Sequence, residues 1–186
     1  MTVVVHAPAR KWTVEEFNRM ADLGLLQPGE RVELIEGEIV EMAPIGSRHA
    51  GMVNILLGLF SRAAANLAVV SVQNPLIVGD RSVPQPDLAL LKPRADSYMR
   101  SHPTAADVLL VVEVADTTLD FDVGTKVPLY ARVPEVWVID LQEQAVRVYR
   151  EPSASGYKSS FTAARDESVA PLALPEVRVG LSALFP

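Results

Sequence analysis

The sequence contains no cysteine, which excludes disulfide bonds, thiol nucleophiles and cysteine-ligated zinc. It also lacks an apolar run that would cross a bilayer, because the best candidate, residues 50–70, carries Asn54, Ser61, Arg62 and Asn66. The N-terminus lacks the basic start of a signal peptide. Together these absences favour a cytoplasmic protein without a membrane partner.

Basic residues are scarce relative to acidic ones. The 17 lysines and arginines face 23 aspartates and glutamates, which gives a net charge of −6. Nucleic-acid partners usually require a basic surplus to neutralise phosphate, so DNA binding here would need a local basic face or a bound divalent metal. Only four of the basic residues are lysines: Lys11, Lys92, Lys126 and Lys158. A lysine that lies close to the apolar strand over residues 108–115 is therefore notable, because lysine and arginine are not interchangeable where a compact ammonium is needed.

The composition otherwise describes a globular protein. The 186 residues are 49% hydrophobic and 22% charged, enough for one domain with a full core. We find no internal repeat, low-complexity tract or linker. The sequence therefore predicts a single domain over residues 1–186, with a core over about residues 12–150 and a C-terminal β extension over residues 151–186.

Three segments near the start of the chain have distinct patterns. Thr13 and Glu16 have the spacing of a capping box and predict the beginning of a helix. Residues 31–42 alternate around a turn at Glu36-Gly37, which predicts a β-hairpin. Residues 47–68 carry apolar side chains at helical spacing and predict a largely buried helix.

Most later segments are typical of strands. Residues 69–78 predict a strand pair broken at Asn74-Pro75, and residues 94–99 predict a short helix. Apolar or alternating runs predict further strands over residues 87–91, 108–115, 134–140 and 145–150, with shorter strands after residue 151.

One carboxylate, Glu113, interrupts the apolar strand over residues 108–115. A buried carboxylate costs several kcal/mol unless a cation or hydrogen-bond donors replace its water. Glu113 therefore contacts a cation, contacts donors or lies where water enters at the end of the strand. A metal site and an ordinary ion pair with an arginine both satisfy this requirement.

A second carboxylate, Asp87, precedes another apolar strand. Pro86 fixes its own φ and holds Gln85 in an extended conformation, so Asp87 lies rigidly at the start of that strand. Carboxylates from two neighbouring strands suit a hard cation such as Mg²⁺ or Mn²⁺, and the backbone carbonyl of Val114 would supply a third oxygen. A nearby lysine, Lys126, would orient an attacking water and stabilise a developing phosphate charge, as in phosphodiester hydrolysis.

The order of these motifs resembles a known family. The matching motifs are Glu33-Leu-Ile-Glu-Gly-Glu38, Gln85-Pro86-Asp87, Val112-Glu113-Val114, Lys126-x-x-x-Tyr130 and Val133-Pro134-Glu135-x-Trp137-x-Ile139-Asp140. Over about Trp12 to Arg150 the chain is similar to the Uma-type restriction endonucleases of the PD-(D/E)XK nuclease superfamily. The resemblance implies an α/β fold with a restriction-endonuclease-like core, a central mixed β-sheet flanked by helices, and metal-dependent cleavage of DNA.

The resemblance also implies roles for particular residues. Asp87 and Glu113 would bind the metal, Lys126 would be the active lysine and Glu33 an auxiliary acid. Gln85, His49 and Tyr130 are further candidates for lining the site. From the residues alone, a solvent-facing position for Glu33 and a structural role for His49 remain open.

The chain departs from the superfamily pattern in two places. The lysine expected two residues after the strand glutamate is replaced by Ala115, and Lys126 would take its place from the following helix. Pro128 disrupts a helix interior but not a first turn. We therefore expect that this helix either begins late, with Thr125 near its N-cap, or bends at Pro128.

Two functions are compatible with the sequence. The first is a magnesium-dependent DNA endonuclease, and the second is a catalytically inactive protein of the same fold that acts as a binding or assembly module. A serine hydrolase is disfavoured because there is no Gly-x-Ser-x-Gly motif, and the three histidines lack zinc-ligand spacing. We expect a homodimer, with the apolar C-terminal segments covering a sheet edge or contacting a second subunit.

Overall fold

The computed structural model describes residues 9–27 and 29–185, and its centre is a six-stranded sheet. The strands follow the order β3-β4-β5-β6-β7-β8. Strands β5 and β6 are parallel, and every other neighbouring pair is antiparallel. Their bounds are Val69–Ser71 (β3), Leu88–Leu91 (β4), Val108–Ala115 (β5), Glu135–Asp140 (β6), Ala145–Ser153 (β7) and Gly156–Ala163 (β8). The predicted mixed sheet is confirmed.

The N-terminal elements form a separate small layer. Helix α1 spans Val14–Asp22, and Thr13 and Glu16 form the predicted capping box. The hairpin of β1 (Val32–Ile35) and β2 (Glu38–Glu41) turns through Glu36-Gly37, where both residues have positive φ. The chain at Lys11 packs closely on this turn, because a Cβ on Gly37 would approach the Lys11 Cβ to 2.7 Å.

Two hydrophobic layers cover the faces of the sheet. On one face, helix α2 (Ser47–Ala63) packs with the C-terminal segment against alternate strand residues. On the opposite face lies a helical segment, residues 119–129. It comprises helix α3 (Leu119–Phe121), a π turn (Asp122–Lys126) and helix α4 (Val127–Leu129). Among the described residues, no helix has the length and apolarity needed to cross a membrane.

Three sequence expectations for local structure are wrong. Helix α2 ends at Ala63 rather than residue 68, because Asn66 has a left-handed backbone (φ 66°). Residues 69–78 supply one short strand, because Gln73 has a left-handed backbone (φ 50°) that an extended strand cannot contain. Residues 94–99 form turns, because Ser97 and Tyr98 have positive φ values that a right-handed helix cannot contain.

The C-terminal region contains the extra β-strands that the sequence predicts, but it covers a face of the sheet rather than an edge. Strand β8 extends the central sheet, and β9 (Ser168–Val169) pairs with β10 (Val179–Gly180). Leu172 is exposed, whereas seven apolar side chains after residue 168 are buried in the same core as α2: Val169, Leu174, Val177, Val179, Leu181, Leu184 and Phe185.

Candidate active site

The pairing of β4 with β5 places the two predicted metal-binding carboxylates side by side. Leu88 pairs with Val112, so Asp87 and Glu113 are the next residues outward on adjacent antiparallel strands. The Asp87 amide lies 3.4 Å from Glu113 Oε2, and the Val114 amide donates to Asp87 Oδ2 at 2.9 Å. The backbone itself therefore fixes the distance between the two acids.

Strand alternation directs Glu113 away from the main core. Val112 and Val114 pack under helix α2, whereas Val111 and Ala115 belong to the core on the opposite face. Because successive side chains of a strand point to opposite faces, Glu113 lies on the same face as Val111 and Ala115, beneath the helical segment 119–129. It is 1% exposed.

Lys126 reaches Glu113 from that helical segment. Its ammonium lies 3.3 Å from Glu113 Oε1 and 3.3 Å from Glu33 Oε1, and the residue is only 7% exposed. The Tyr130 hydroxyl donates to Glu113 Oε1 at 2.7 Å. Tyr130 is fully buried in the core beneath the helical segment, and only its hydroxyl group contacts the site, through Glu113.

The π turn explains how Pro128 fits within this segment. In a regular α-helix the Pro128 ring would clash with the carbonyl of Gly124. Here the Val127 amide instead donates to the Asp122 carbonyl five residues earlier, which widens the turn before the proline. The helical segment as a whole begins at Leu119, but its last part, α4, has Lys126 as its N-cap, one residue after the predicted Thr125, and Pro128 lies in its first turn.

Glu33 joins the β1–β2 hairpin to the site. It is 3% exposed, so the alternative of a solvent-facing position is wrong. Its Oε1 atom accepts a hydrogen bond from the Gln85 amide at 2.6 Å as well as contacting Lys126. The Gln85 side chain donates to the Val32 carbonyl at 3.1 Å, which ties the Asp87 loop to the hairpin.

Two further side chains contact Asp87 directly. His49, in the first turn of α2, lies with Nε2 3.0 Å from Asp87 Oδ2, and Gln73 donates to Oδ1 at 3.2 Å. His49 Nδ1 is buried and has no hydrogen-bond partner among the described residues. Gln73 was not predicted from the sequence. No local pattern marks it, because the loop after β3 brings its side chain to Asp87.

Asp122, a buried acid of the π turn, was also not predicted as a site residue from the sequence. It is 5% exposed, lines the same cleft as Lys126 and accepts a hydrogen bond from the Thr118 hydroxyl at 2.6 Å. A signal was available: Asp122, Lys126 and Tyr130 are spaced four residues apart, which places them on one helical face.

Burial and charge shift the pKa values in this cluster. Burial raises the pKa of Glu113 to about 8, with Lys126 opposing the shift. Burial also raises the pKa of Asp122. For Lys126, burial alone would lower the pKa, but Glu113 and then Glu33 raise it above its ordinary value. The ammonium therefore stays charged near neutral pH, while Glu113 tends to retain a proton.

Asp87 is held in its charged form by its partners. Burial alone would raise the pKa of its carboxyl group, but the hydrogen bonds from His49 and Val114 and the nearby His49 charge lower it below the ordinary value. The same hydrogen bond to Asp87 raises the pKa of His49. The contact therefore favours the protonated form of His49 and the ionised form of Asp87.

The acidic residues of the cluster, His49 and Lys126 line a cleft of about 510 Å³. Its acidic inner surface contains Glu33, Asp87, Glu113 and Asp122, and Lys126 is the one lysine among the lining residues. Four buried carboxylates around a single ammonium form an oxygen-rich, negatively charged set, which is the donor chemistry that a hard divalent cation prefers. The residues present therefore fit such an ion.

The fit depends on backbone and water ligands as well as side chains. Among residues 9–27 and 29–185, no group of three or more histidine, aspartate or glutamate side chains is arranged to hold a metal. Mg²⁺ commonly uses one or two protein carboxylates and keeps several waters, so Asp87 and Glu113 would suffice with the Val114 carbonyl.

The mixed sheet and the buried carboxylate–lysine cluster are those of a nuclease-like α/β protein. The sequence matches the Uma2 family, described as "Putative restriction endonuclease", over residues 14–183. The chain therefore belongs to the Uma2 family, which confirms the family resemblance seen in the sequence.

A solved structure supports the fold assignment. The chain is similar to the crystal structure of "a putative nuclease belonging to DUF820" from Anabaena variabilis, with a TM-score of 0.74 and 20% sequence identity. The similarity covers 93% of this chain and 97% of the other. None of the curated proteins matches the sequence.

Proposed function

We propose that this protein is a metal-dependent DNA endonuclease that hydrolyses phosphodiester bonds. The observation that carries the proposal is the convergence of Asp87, Glu113 and Lys126, from three separate segments, on one cleft. Membership of the Uma2 family and the nuclease-like fold support the same function.

In this proposal Asp87, Glu113 and the Val114 carbonyl hold Mg²⁺ or Mn²⁺. When bound, such an ion supplies Lewis acidity toward phosphate and a water of lowered pKa. Asp87 is already charged, and its orientation is fixed by the Val114 amide. Glu113 would release its proton to take part, and the Tyr130 hydroxyl orients its carboxyl group.

Lys126 and Glu33 act together in the proposed mechanism. Lys126 supplies a compact positive charge that stabilises the negative charge developing on phosphate. Glu33 holds the ammonium at 3.3 Å and thereby sets its position relative to Glu113. His49 and Gln85 support this arrangement, because His49 contacts Asp87 and Gln85 fixes Glu33.

Cleavage of plasmid and branched DNA tests the proposal. We expect nicking or cleavage that requires Mg²⁺ or Mn²⁺ and falls at least about a hundredfold in Asp87→Ala, because single catalytic groups commonly contribute that much. Asp166→Ala is the matched control, since Asp166 is an exposed aspartate outside the cleft. Absence of metal-dependent cleavage on every DNA form, or equal rates in Asp87→Ala, would contradict the proposal.

Metal titration separates this function from an inactive binding module of the same fold. Calorimetry should detect Mn²⁺ binding that weakens sharply in Glu113→Gln and is unchanged in Glu151→Gln, an exposed control on β7. A protein that lacks a metal site altogether would fit the inactive module instead. We further propose a homodimer, because an acidic domain of this size offers little surface for binding DNA alone.

A further inference from the structure

The wall of the cleft differs chemically from its acidic inner surface. The loop between β2 and α2 contributes Met42, Ala43, Pro44 and Ile45, and the helical segment 119–129 contributes Phe121. Ile45 is 40% exposed and Phe121 is 38% exposed. Exposed apolar side chains grouped at the mouth of a polar site mark a surface that contacts a ligand.

The charges around the cleft do not suit a continuous DNA duplex. Among its lining residues six are acidic, and the lysine, arginine and histidine residues are Arg31, Lys126 and His49, which contacts Asp87. Lys126 is already engaged by Glu33 and Glu113. Arg48, close to the cleft, is paired with Asp116 at 3.0 Å. Duplex binding normally neutralises several phosphates with lysine and arginine side chains. The residues around this cleft offer few such charges, so they attract the backbone of a duplex only weakly.

An unpaired nucleotide matches the wall better than a duplex does. An aromatic side chain stacks on the face of any base, and this contact needs no positive charge. A strand without a partner can also bend so that one phosphate enters the cleft, where Glu113 and Lys126 are almost completely buried. The volume of about 510 Å³ is that of a small-molecule site.

We propose that the wall formed by residues 42–45 and Phe121 is a stacking site for the base of an unpaired nucleotide, so that the protein acts on single-stranded DNA in preference to continuous duplex. This inference rests on the proposed nuclease function and names its substrate class. Phe121 would hold the base while the adjacent phosphate reaches the carboxylates.

Binding to matched oligonucleotides tests the inference. The full chain is titrated, in Ca²⁺ to limit cleavage, with a fluorescein-labelled single strand and with the same strand in a blunt duplex. We expect the single strand to bind at least about tenfold more tightly. Phe121→Ala should weaken single-strand binding by about five- to a hundredfold, and Phe121→Trp should retain it.

The matched control is Phe161→Ala. Phe161 is 44% exposed on β8, outside the cleft, and its loss should leave binding unchanged. A strand carrying 2-aminopurine gives a second readout, because stacking on Phe121 should quench its fluorescence and Phe121→Ala should remove the quenching. Equal affinity for both DNA forms, or a Phe121→Ala protein that behaves like Phe161→Ala, would overturn the inference.

Cleavage of the same oligonucleotides in Mn²⁺ distinguishes the two proposals. Equal cleavage of single strand and duplex would leave the nuclease function standing and overturn the stacking site. Single-strand binding through Phe121 without any cleavage would support the stacking site and contradict the nuclease function. A protein that neither binds nor cleaves any DNA would overturn both.

Discussion

At the scale of the residue, Glu113 determines the electrostatics of the cleft. It is the one charged side chain within β5, and the fold surrounds it with the Lys126 ammonium, the Tyr130 hydroxyl and the Asp87 amide. These partners reduce but do not cancel the effect of burial, and its pKa is raised to about 8. The protein therefore retains at Glu113 a proton that a divalent cation would displace.

The raised pKa of Glu113 predicts how the free energy of unfolding depends on pH in the absence of metal. The folded protein holds the Glu113 proton up to about pH 8, whereas the unfolded chain releases it near pH 4.5. The folded state thus binds more protons between these values, and its free energy of unfolding should fall as the pH rises from 5 to 8, by at most about 1.4 kcal/mol per pH unit.

Urea unfolding of the wild type and Glu113→Gln in EDTA measures this effect. His49 and Asp122 also have raised pKa values and shift stability in the same direction, so the difference between the two proteins is the informative quantity. We expect the pH dependence to be smaller in Glu113→Gln. Parallel stability curves for the two proteins would show that Glu113 titrates normally.

The sequence identified most of these residues but not their whole environment. The residues alone pointed to Asp87, Glu113 and Lys126, the family resemblance added Glu33, and the structure brings the four together. Gln73 was missed because it depends on a loop path that no periodicity encodes. A chain position alone could not show that Glu33 is buried, since that depends on how the hairpin packs against the Asp87 loop.

At the scale of the element, the π turn positions Lys126 in the cleft. It accommodates Pro128 and keeps Asp122, Lys126 and Tyr130 directed to the same side of the sheet. The sequence predicted the difficulty at Pro128 but not its solution, because a single π turn replaces one hydrogen-bond pattern with another and leaves no compositional signal.

Asp122 should contribute to the site through Lys126. Its carboxylate adds negative charge that favours the charged ammonium and the binding of a cation. Asp122→Asn should therefore lower the rate of metal-dependent cleavage about tenfold and weaken Mn²⁺ binding, with little change in folding. Asp120→Asn, an exposed neighbour in α3, is the control. Equal activity in both variants would assign Asp122 a purely structural role.

At the scale of the whole molecule, the two layers that cover the sheet differ in what they contribute. Helix α2 and the C-terminal segment form the main core on one face, while the opposite face carries the cleft. The continuous apolar run of β5 predicted a buried strand, but the sequence could not show which face the C-terminal segment would cover. Its two short strands, β9 and β10, pair with each other, so their pairing alone does not show which face of the sheet the segment covers.

The proposed homodimer is tested at this scale. The protomer has a mass of 20.2 kDa, so equilibrium sedimentation should give about twice that value. Most apolar side chains of the C-terminal segment are buried within the protomer, so few of them are free to contact a second subunit. A mass near that of one protomer at all accessible concentrations would contradict the dimer.

The central claim is that two carboxylates from adjacent strands and one lysine surround a divalent cation. Anomalous diffraction from crystals soaked in Mn²⁺ tests it most directly. We expect a manganese peak within coordination distance of Asp87 and Glu113 that disappears in crystals of Glu113→Gln. A soaked crystal with ordered carboxylates and no peak between them, or with manganese bound elsewhere only, would contradict it.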